Sequence, residues 1–423
     1  MLDLRSIRED PDPARASLAR RGAAAELDEL LGVDERRREL LPEVEERRAR
    51  QNRASDRIAE AKRAGEDAEP LIAEMREVSA ELKELEAELG EIESKRAELL
   101  MTLPNLPDPD APDGETEGDA VTLREVGERP KFDFEVRDHL DLGLANGWIE
   151  MEKAGEASGS RFAYLLGDLV TVELALERFA HDLLRGEGLV PVVPPVLVRE
   201  GPLLGSGFFP GEREMIYEVP RDELFLVGTS EVSLAALHAG DILAADELPR
   251  RYAGFSTCFR RESGAAGKDT RGIFRVHQFD KVEMFSFVQP EDSGAEHERL
   301  LAIQERILQA LGLPYRVVDI PVGDLGAPAA RKFDCEAWIP SQSRYREVTS
   351  CSNTTDYQAR RLDCRFRPEA DAQPAHVHTL NGTAVAVGRT LIALIENGQR
   401  ADGSVALPPP LVEAGAPEAI GAG

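Results

Sequence analysis

The chain is 423 residues long, 42% hydrophobic and 31% charged, with a formal net charge of −28. That length allows two or three domains with a sizeable core, and the acidity excludes broad non-specific nucleic-acid binding while leaving room for a local basic stripe. The N-terminal MLDLRSIREDPDP lacks the apolar run of a secretory signal, and no stretch approaches the roughly 20 apolar residues that span a bilayer, so no membrane role is expected. Cys258, Cys335, Cys351 and Cys364 form no CxxC pair and have no closely spaced His. Disulfides and zinc are therefore not expected, and a reducing cytoplasm fits.

Residues 1–30 read as a short helical lead-in, and two long helical patterns follow. In the second, Leu71, Met75, Val78, Leu82, Leu85, Leu89 and Ile92 recur with the spacing of a heptad seam. In the first, Val33, Leu40, Val44, Ala54, Ile58 and Ala61 fall on the same repeat, interrupted by Arg37, Arg47 and Gln51. AGEDAEP (Ala64–Pro70) supplies Gly and Pro breakers in a turn short enough to make the helices antiparallel. The expected product is a coiled-coil hairpin, about 45 Å long for helices of roughly 30 residues. Pro42 should kink the first helix or mark its start. The first helix is rich in Arg from Arg36 to Arg63, and the second is mainly acidic from Glu74 to Glu93. Interhelical ion pairs and solvated faces account for most of these charges, and part of the first helix is left to hold a polyanionic backbone.

Residues 102–118, TLPNLPDPDAPDGETEG, read as a linker without a core of its own. They divide an arm over 1–101 from a main domain over 119–423. Gly159–Leu184 gives a strand-like piece and then a helix with Leu169, Val172, Leu176, Phe179 and Leu183 on one face. GLVPVVPPVLV (Gly188–Val198) carries three Pro, so it is the beginning or edge of a strand. LFLVGTSEVSLAALHAG (Leu224–Gly240) starts as a buried strand, turns at Gly228 and becomes a helix, with Thr229, Ser230 and Glu231 at a junction where polar residues are usually caps.

Phe255–Val288 reads as two strands joined by the charged loop Ser263–Gly272. Period-two alternation puts Arg260 with Glu262, and Arg275, His277, Phe279, Lys281 and Glu283 together, with Phe274, Val276, Val282 and Met284 facing the core. Arg331–Arg361 alternates as two more strands. His378–Gln399 reads as a strand, a turn at Gly388 and a buried helix. Arg389 sits at the helix start, where the dipole does not favour a cation, so it points to a ligand. The tail from Ser404 is expected to be partly disordered.

The pattern Phe259-Arg260-x-Glu262, a loop, then Arg275-x-x-x-Phe279 resembles motif 2 of the class II aminoacyl-tRNA synthetases. The fuller string FRRESGAAGKDTRGIFRVHQFDKVE is similar to that of seryl-tRNA synthetases, and FDFEVRDHLDLG (Phe132–Gly143) resembles the opening of their catalytic domain. The resemblance implies an α+β fold: an antiparallel-sheet class II catalytic domain behind an N-terminal antiparallel helical hairpin. It implies a cytoplasmic, homodimeric ligase that joins L-serine to tRNA(Ser) through a seryl-adenylate made from ATP, and to tRNA(Sec) where one exists. Pro195 is the candidate for the motif 1 proline at the dimer interface.

By the same resemblance, Thr229, Ser230 and Glu231 match the segment that recognises serine, with Arg260, Glu283, Asn381 and Thr383 completing the pocket. Ser233 stands where the family usually has Pro. Arg260, Arg261, Glu262, Arg275, Val276, Phe279, Glu347, Val348, Thr349, Ser350 and Arg389 would line ATP, with Phe279 stacked on adenine. Glu347 and Ser350 would ligate Mg2+, a hard cation that takes oxygen donors. Arg260, Glu262, Arg275 and Arg389 form the expected catalytic set. The chain has no GxxxxGK[ST] loop, so its ATP site is expected to be of the class II kind. Two other readings are weaker. Relatives that load a carrier protein lack the arm, and a non-catalytic scaffold would show eroded Arg260, Glu262, Glu283, Glu347 or Arg389.

Overall fold

The computed structural model describes residues 1–263, 269 and 271–421. The chain divides into Leu2–Leu103 and a larger unit made of Met1 and Pro104–Gly423.

In the smaller unit, two short helices, α1 (Leu4–Glu9) and α2 (Pro11–Ala19), precede the long α3 (Ala24–Ala64) and α4 (Glu69–Thr102). Gly65 ends α3 in the left-handed conformation at φ 73°, and the Glu66 N–H closes the turn on the Ala61 carbonyl. With 41 and 34 residues the helices are about 60 and 50 Å long. Leu40 and Val44 pack against Leu82 and Leu89 in mid-hairpin, and Ile58 and Ala61 against Leu71 and Met75 near the turn. Each large apolar side chain so buried contributes about 2 kcal/mol. The three polar interruptions of the seam find partners across it. Arg37 pairs with Glu93, Arg47 with Glu81, and Gln51 donates to Ser79. Pro42 lies inside α3 rather than at its start. Leu40, Leu41 and Val44 hold the helix on both sides of the missing N–H. Asp34, only 1% exposed, faces Arg8, Arg38 and Arg96. Burial alone would raise its carboxyl, but hydrogen bonds from Arg96 and Arg8 bring it below the usual range.

The larger unit is built on a sheet of eight strands among the described residues. They are β1 (Val121–Val126), β2 (Val190–Val192), β3 (Arg250–Phe259), β4 (Gln278–Val288), β5 (Tyr315–Asp319), β6 (Arg331–Ile339), β7 (Arg344–Asn353) and β8 (His378–Ala386). Their order is β1-β5-β6-β7-β8-β4-β3-β2. Every pairing is antiparallel except that of β2 with β3. The proline-rich stretch forms the edge strand β2, the position its missing donors permit. Five helices matter for the site and its surroundings: α5 (His139–Ala145), α6 (Asp168–Gly186), α7 (Glu231–Ala235), α8 (Ser293–Ala310) and α9 (Val387–Gly398). Val282 and Met284 of β4, Leu380 of β8, Ile303 of α8 and Leu391 of α9 share one core.

Three expectations change. The segment 102–118 is not a free linker after Leu103. Asn105 is buried and donates to the carbonyls of Pro328 and Thr354, and Ala111 packs with Val318 and Ile320. There is no turn at Gly388, because β8 passes into α9 between Ala386 and Val387, which leaves Arg389 in the first helical turn. The tail is ordered to residue 421: Val405–Ala406 pairs with Ala419–Ile420, and Val405, Leu411 and Ile420 join the main core.

Candidate active site

The two strands around the motif 2 stretch stop sooner than alternation suggests. Pairing of β3 with β4 ends at Phe259 and Gln278, so Arg260, Glu262, Arg275 and His277 lie in the connection. Glu262 adopts φ 51°, a left-handed conformation that costs about 1 kcal/mol, and its carboxylate meets Arg275 at 2.6 Å. Lys268 of the charged loop lies outside the described residues. Arg271 is held by Asp138 at 2.6 Å.

Arg260, Glu262 and Arg275 open onto a cavity of about 320 Å³ with Phe279, Lys281, Lys332, Glu347, Ser350, Thr383 and Arg389 on its walls. Arg260 donates from Nε to the Gly228 carbonyl at 3.0 Å and lies 5.5 Å from the Phe279 ring centre. Phe274 does not serve the core alone. Its ring lies 3.9 Å from the guanidinium of Arg346 and 4.8 Å from that of Arg389, and it lines the cavity. Val276 also lines it, whereas Arg261 turns away, donating to the Ile216 carbonyl at 3.2 Å and lying over Tyr217.

Glu347 and Ser350 are three apart, so simple alternation would put them on opposite faces. A bulge in β7 prevents this. Cys335 faces Thr349 and Glu336 faces Glu347, leaving Val348 as the extra residue, and both Glu347 and Ser350 reach the cavity. Arg389 lies 3.2 Å from the Glu347 carboxylate. Burial would raise that carboxyl, but the charges of Arg389 and Lys332 win and hold it at about 2. Glu347 is therefore ionised throughout the working range. An ionised carboxylate beside a serine hydroxyl, open to a cavity lined by cations, is a donor set that suits a divalent cation shared with phosphate oxygens. Glu173, Glu177 and Asp280 form another carboxylate group, within 4.8 Å of one another. Burial and the charge of Asp280 raise Glu173 and Glu177 to about 7, so that cluster can stand partly protonated without an ion.

At the other end, two buried carboxylates face one amide. Asn381 Nδ2 donates to Glu231 at 3.1 Å and to Glu283 at 3.4 Å. Gln358 donates to the second oxygen of Glu231 at 2.8 Å, and Lys281 Nζ lies 2.5 Å from Glu283. Thr383 Oγ1 donates to Glu283 at 3.4 Å. Burial, then the nearby Glu283 charge, raises Glu231 to about 7, against the pull of Lys281. Thr229 lies just before α7, its hydroxyl accepting from the Glu231 N–H at 3.2 Å, and the Ser230 hydroxyl at the N-cap is buried without a partner among the described residues. Ser233 donates to the Pro195 carbonyl at 2.7 Å. The arrangement offers a small polar slot with two acids, contiguous through Lys281 and Thr383 with a cation-rich cavity.

Sequence reasoning missed Lys332, Gln358 and Asp334. Lys332 lies 3.1 Å from Asp334, whose carboxyl is raised to about 7 by burial despite that neighbour. Each residue reaches the site through strand pairing or helix packing, which leaves no local mark.

Residues 216–398 match the tRNA synthetase class II core domain (G, H, P, S and T), and residues 1–107 match the seryl-tRNA synthetase N-terminal domain. The serine--tRNA ligase of Acidothermus cellulolyticus is 51% identical over 409 residues, 96% of each chain. That of Rubrobacter xylanophilus is 48% identical over 422 residues, 100% of this chain and 99% of its own. The structure of seryl-tRNA synthetase from Pyrococcus horikoshii complexed with ATP aligns at a TM-score of 0.90 with 41% identity, over 99% of both chains. The Naegleria fowleri cytoplasmic serine-tRNA ligase in complex with AMP aligns at 0.84 with 33% identity, over 97% of this chain and 95% of that one. By its two domain matches and these full-length relatives, the chain belongs to the seryl-tRNA synthetase family of class II aminoacyl-tRNA synthetases.

Proposed function

We propose that the chain is an ATP-dependent ligase that activates L-serine as seryl-adenylate and transfers it to tRNA(Ser). The observation that carries this is the meeting of Glu231 and Glu283 with a cavity lined by Arg260, Arg275, Glu347 and Arg389. The serine ammonium and hydroxyl fit the two acids, Asn381 and Thr383. A site that hydrogen-bonds the hydroxyl rejects alanine, because its own groups would be left unpaired. The serine carboxylate attacks the α-phosphorus in line, an O–P bond forms, and pyrophosphate leaves with the electrons of the broken P–O bond. Arg260 orients the carboxylate and α-phosphate, and Arg275 and Arg389 take the outgoing charge. Phe279 stacks on adenine. Glu347 and Ser350 would hold magnesium, which supplies charge neutralisation on the phosphate oxygens when bound. A terminal ribose hydroxyl of the tRNA then attacks the adenylate carbonyl and releases AMP.

The arm is read as the grip on tRNA(Ser). Five of the ten cations of α3, Arg36, Arg37, Arg47, Arg48 and Arg50, pair with acids of α4, whereas Arg53, Arg57, Lys62 and Arg63 near the turn are exposed and form no ion pair among the described residues. The homodimer is read from an exposed apolar face. Leu174 on α6 is 60% exposed, and Val190 and Val193 at the edge strand are 55% and 85% exposed. No helix among the described residues is long and apolar enough to cross a membrane, and the reading places the reaction in the cytoplasm.

The test is ATP–pyrophosphate exchange with serine, alanine and threonine in turn. Serine alone should drive it, by at least about 10³-fold over alanine. Equal rates with alanine would overturn the reading. A pH dependence follows from Glu231. Its carboxyl is raised to about 7, and binding an ammonium requires the carboxylate. The KM for serine should therefore rise as pH falls below about 7, by up to about tenfold per unit. A KM that stays flat between about pH 8 and about pH 6 would contradict the role of Glu231.

A further inference from the structure

His139, at the start of α5, touches none of the substrates in the reading above, yet it closes a ring of contacts around the nucleotide cavity. The residue is buried, with 4% of its surface exposed. Its Nδ1 lies 3.1 Å from Glu396 Oε1, and its backbone N–H donates to the same oxygen at 3.1 Å. Glu396, fully buried on α9, takes a third N–H from Ser341 at 3.1 Å. On the other side of the ring, the backbone N–H of Ile273 donates to His139 Nε2 at 3.2 Å. A backbone N–H can only donate, so Nε2 must be the bare nitrogen and Nδ1 must carry the proton. The imidazole thus has one arrangement that satisfies all its polar atoms.

The two ends of this bridge are the ends that matter for ATP. Glu396 lies seven residues after Arg389 on α9, two turns along the same face. Ile273 is followed by Phe274, whose ring lies against Arg389, and by Arg275. Arg389, α9, Glu396, His139, Ile273 and Phe274 therefore form a closed circuit. Gly272 makes the approach possible. It sits at φ 71°, and a Cβ there would fall 2.0 Å from His139 Nε2. Arg271, one residue earlier, is tied to Asp138 at 2.6 Å, which fixes the same hinge to the start of α5.

We propose that His139 is a positioning residue for the nucleotide end of the site, setting the hinge at Gly272–Ile273 against α9 so that Phe274, Arg275 and Arg389 keep their spacing. This rests on the proposed ATP-dependent reaction for its kinetic arm, while its structural arm does not.

The experiment compares His139→Asn, His139→Gln and Gly272→Ala in the full chain. Asn keeps an amide near Nδ1 but cannot reach Ile273, whereas Gln carries its carbonyl oxygen close to the place of Nε2. His139→Asn should raise the KM for ATP and lower kcat in exchange, each about tenfold, with the KM for serine within about twofold. Amide hydrogen exchange at Ile273 should be faster by about tenfold or more. His139→Gln should restore both to within about threefold of the unsubstituted chain. Gly272→Ala pushes the imidazole aside without altering any polar group. It should reproduce His139→Asn, and the double variant should be no worse than either single one. A joint rise in both KM values, additive effects in the double variant, or unchanged exchange at Ile273 would overturn the proposal. If His139→Asn fails to fold, Gly272→Ala and His139→Gln decide it by the same readings. Loss of serine-dependent exchange in the unsubstituted chain would instead count against the proposed function, leaving the Ile273 measurement to judge the hinge.

Discussion

Arg389→Ala is expected to lower serine-dependent ATP–pyrophosphate exchange by about 10³-fold, close to 4 kcal/mol of transition-state stabilisation. Three roles are lost together. The guanidinium faces Glu347 at 3.2 Å, lies 4.8 Å from the Phe274 ring centre and lines the cavity where outgoing phosphate charge must be met. Removing it also leaves Glu347 with one fewer cation, so its carboxyl should move up from about 2. Lys should not restore the rate, because a point charge cannot stack on Phe274 and address Glu347 at once. The side chain sits on the cavity wall, so the melting temperature should hardly move. A fall of less than tenfold would remove Arg389 from the catalytic set.

Replacing Arg53, Arg57, Lys62 and Arg63 together with Ser is expected to weaken tRNA(Ser) charging by about 10²-fold through KM, with serine-dependent exchange unchanged. Four lost phosphate contacts should reduce the salt dependence of log K by roughly 3. The comparison set is Arg36, Arg37 and Arg47, which pair with Glu88, Glu93 and Glu81. Exposed pairs of this kind are individually weak, and their loss should loosen the hairpin rather than the grip. If the paired set damages charging more than the free set does, the grip lies elsewhere on the arm.

Much of this was legible in the chain itself, for a local reason. The heptad seam from Leu71 to Ile92 is a repeated pattern, and its partner in α3 is the next helix along, so Gly65 and the short turn settle the pairing. Phe279, Lys281 and Glu283 share a face of one strand, and alternation found them. Alternation failed where a partner strand sets the geometry. Arg260, Glu262 and Arg275 leave the sheet because pairing stops at Phe259. Glu347 and Ser350 come together only because Val348 bulges opposite Cys335 and Glu336. For that pair the family resemblance supplied what periodicity could not. Phe274 was assigned to the core because nothing near it in sequence announces Arg346 or Arg389. Gln358 and Lys332 were missed for the same reason.

The proposed reaction requires one continuous site that holds serine at Glu231 and Glu283 and ATP at Arg260, Glu347 and Arg389. The most direct measurement is a crystal structure with a non-hydrolysable seryl-adenylate analogue. The ammonium should lie within about 3.2 Å of Glu231 or Glu283, with the phosphate mimic at Arg260 and the adenine against Phe279. An adenine away from the Phe279 ring, or an amino-acid group out of reach of both acids, would rule it out.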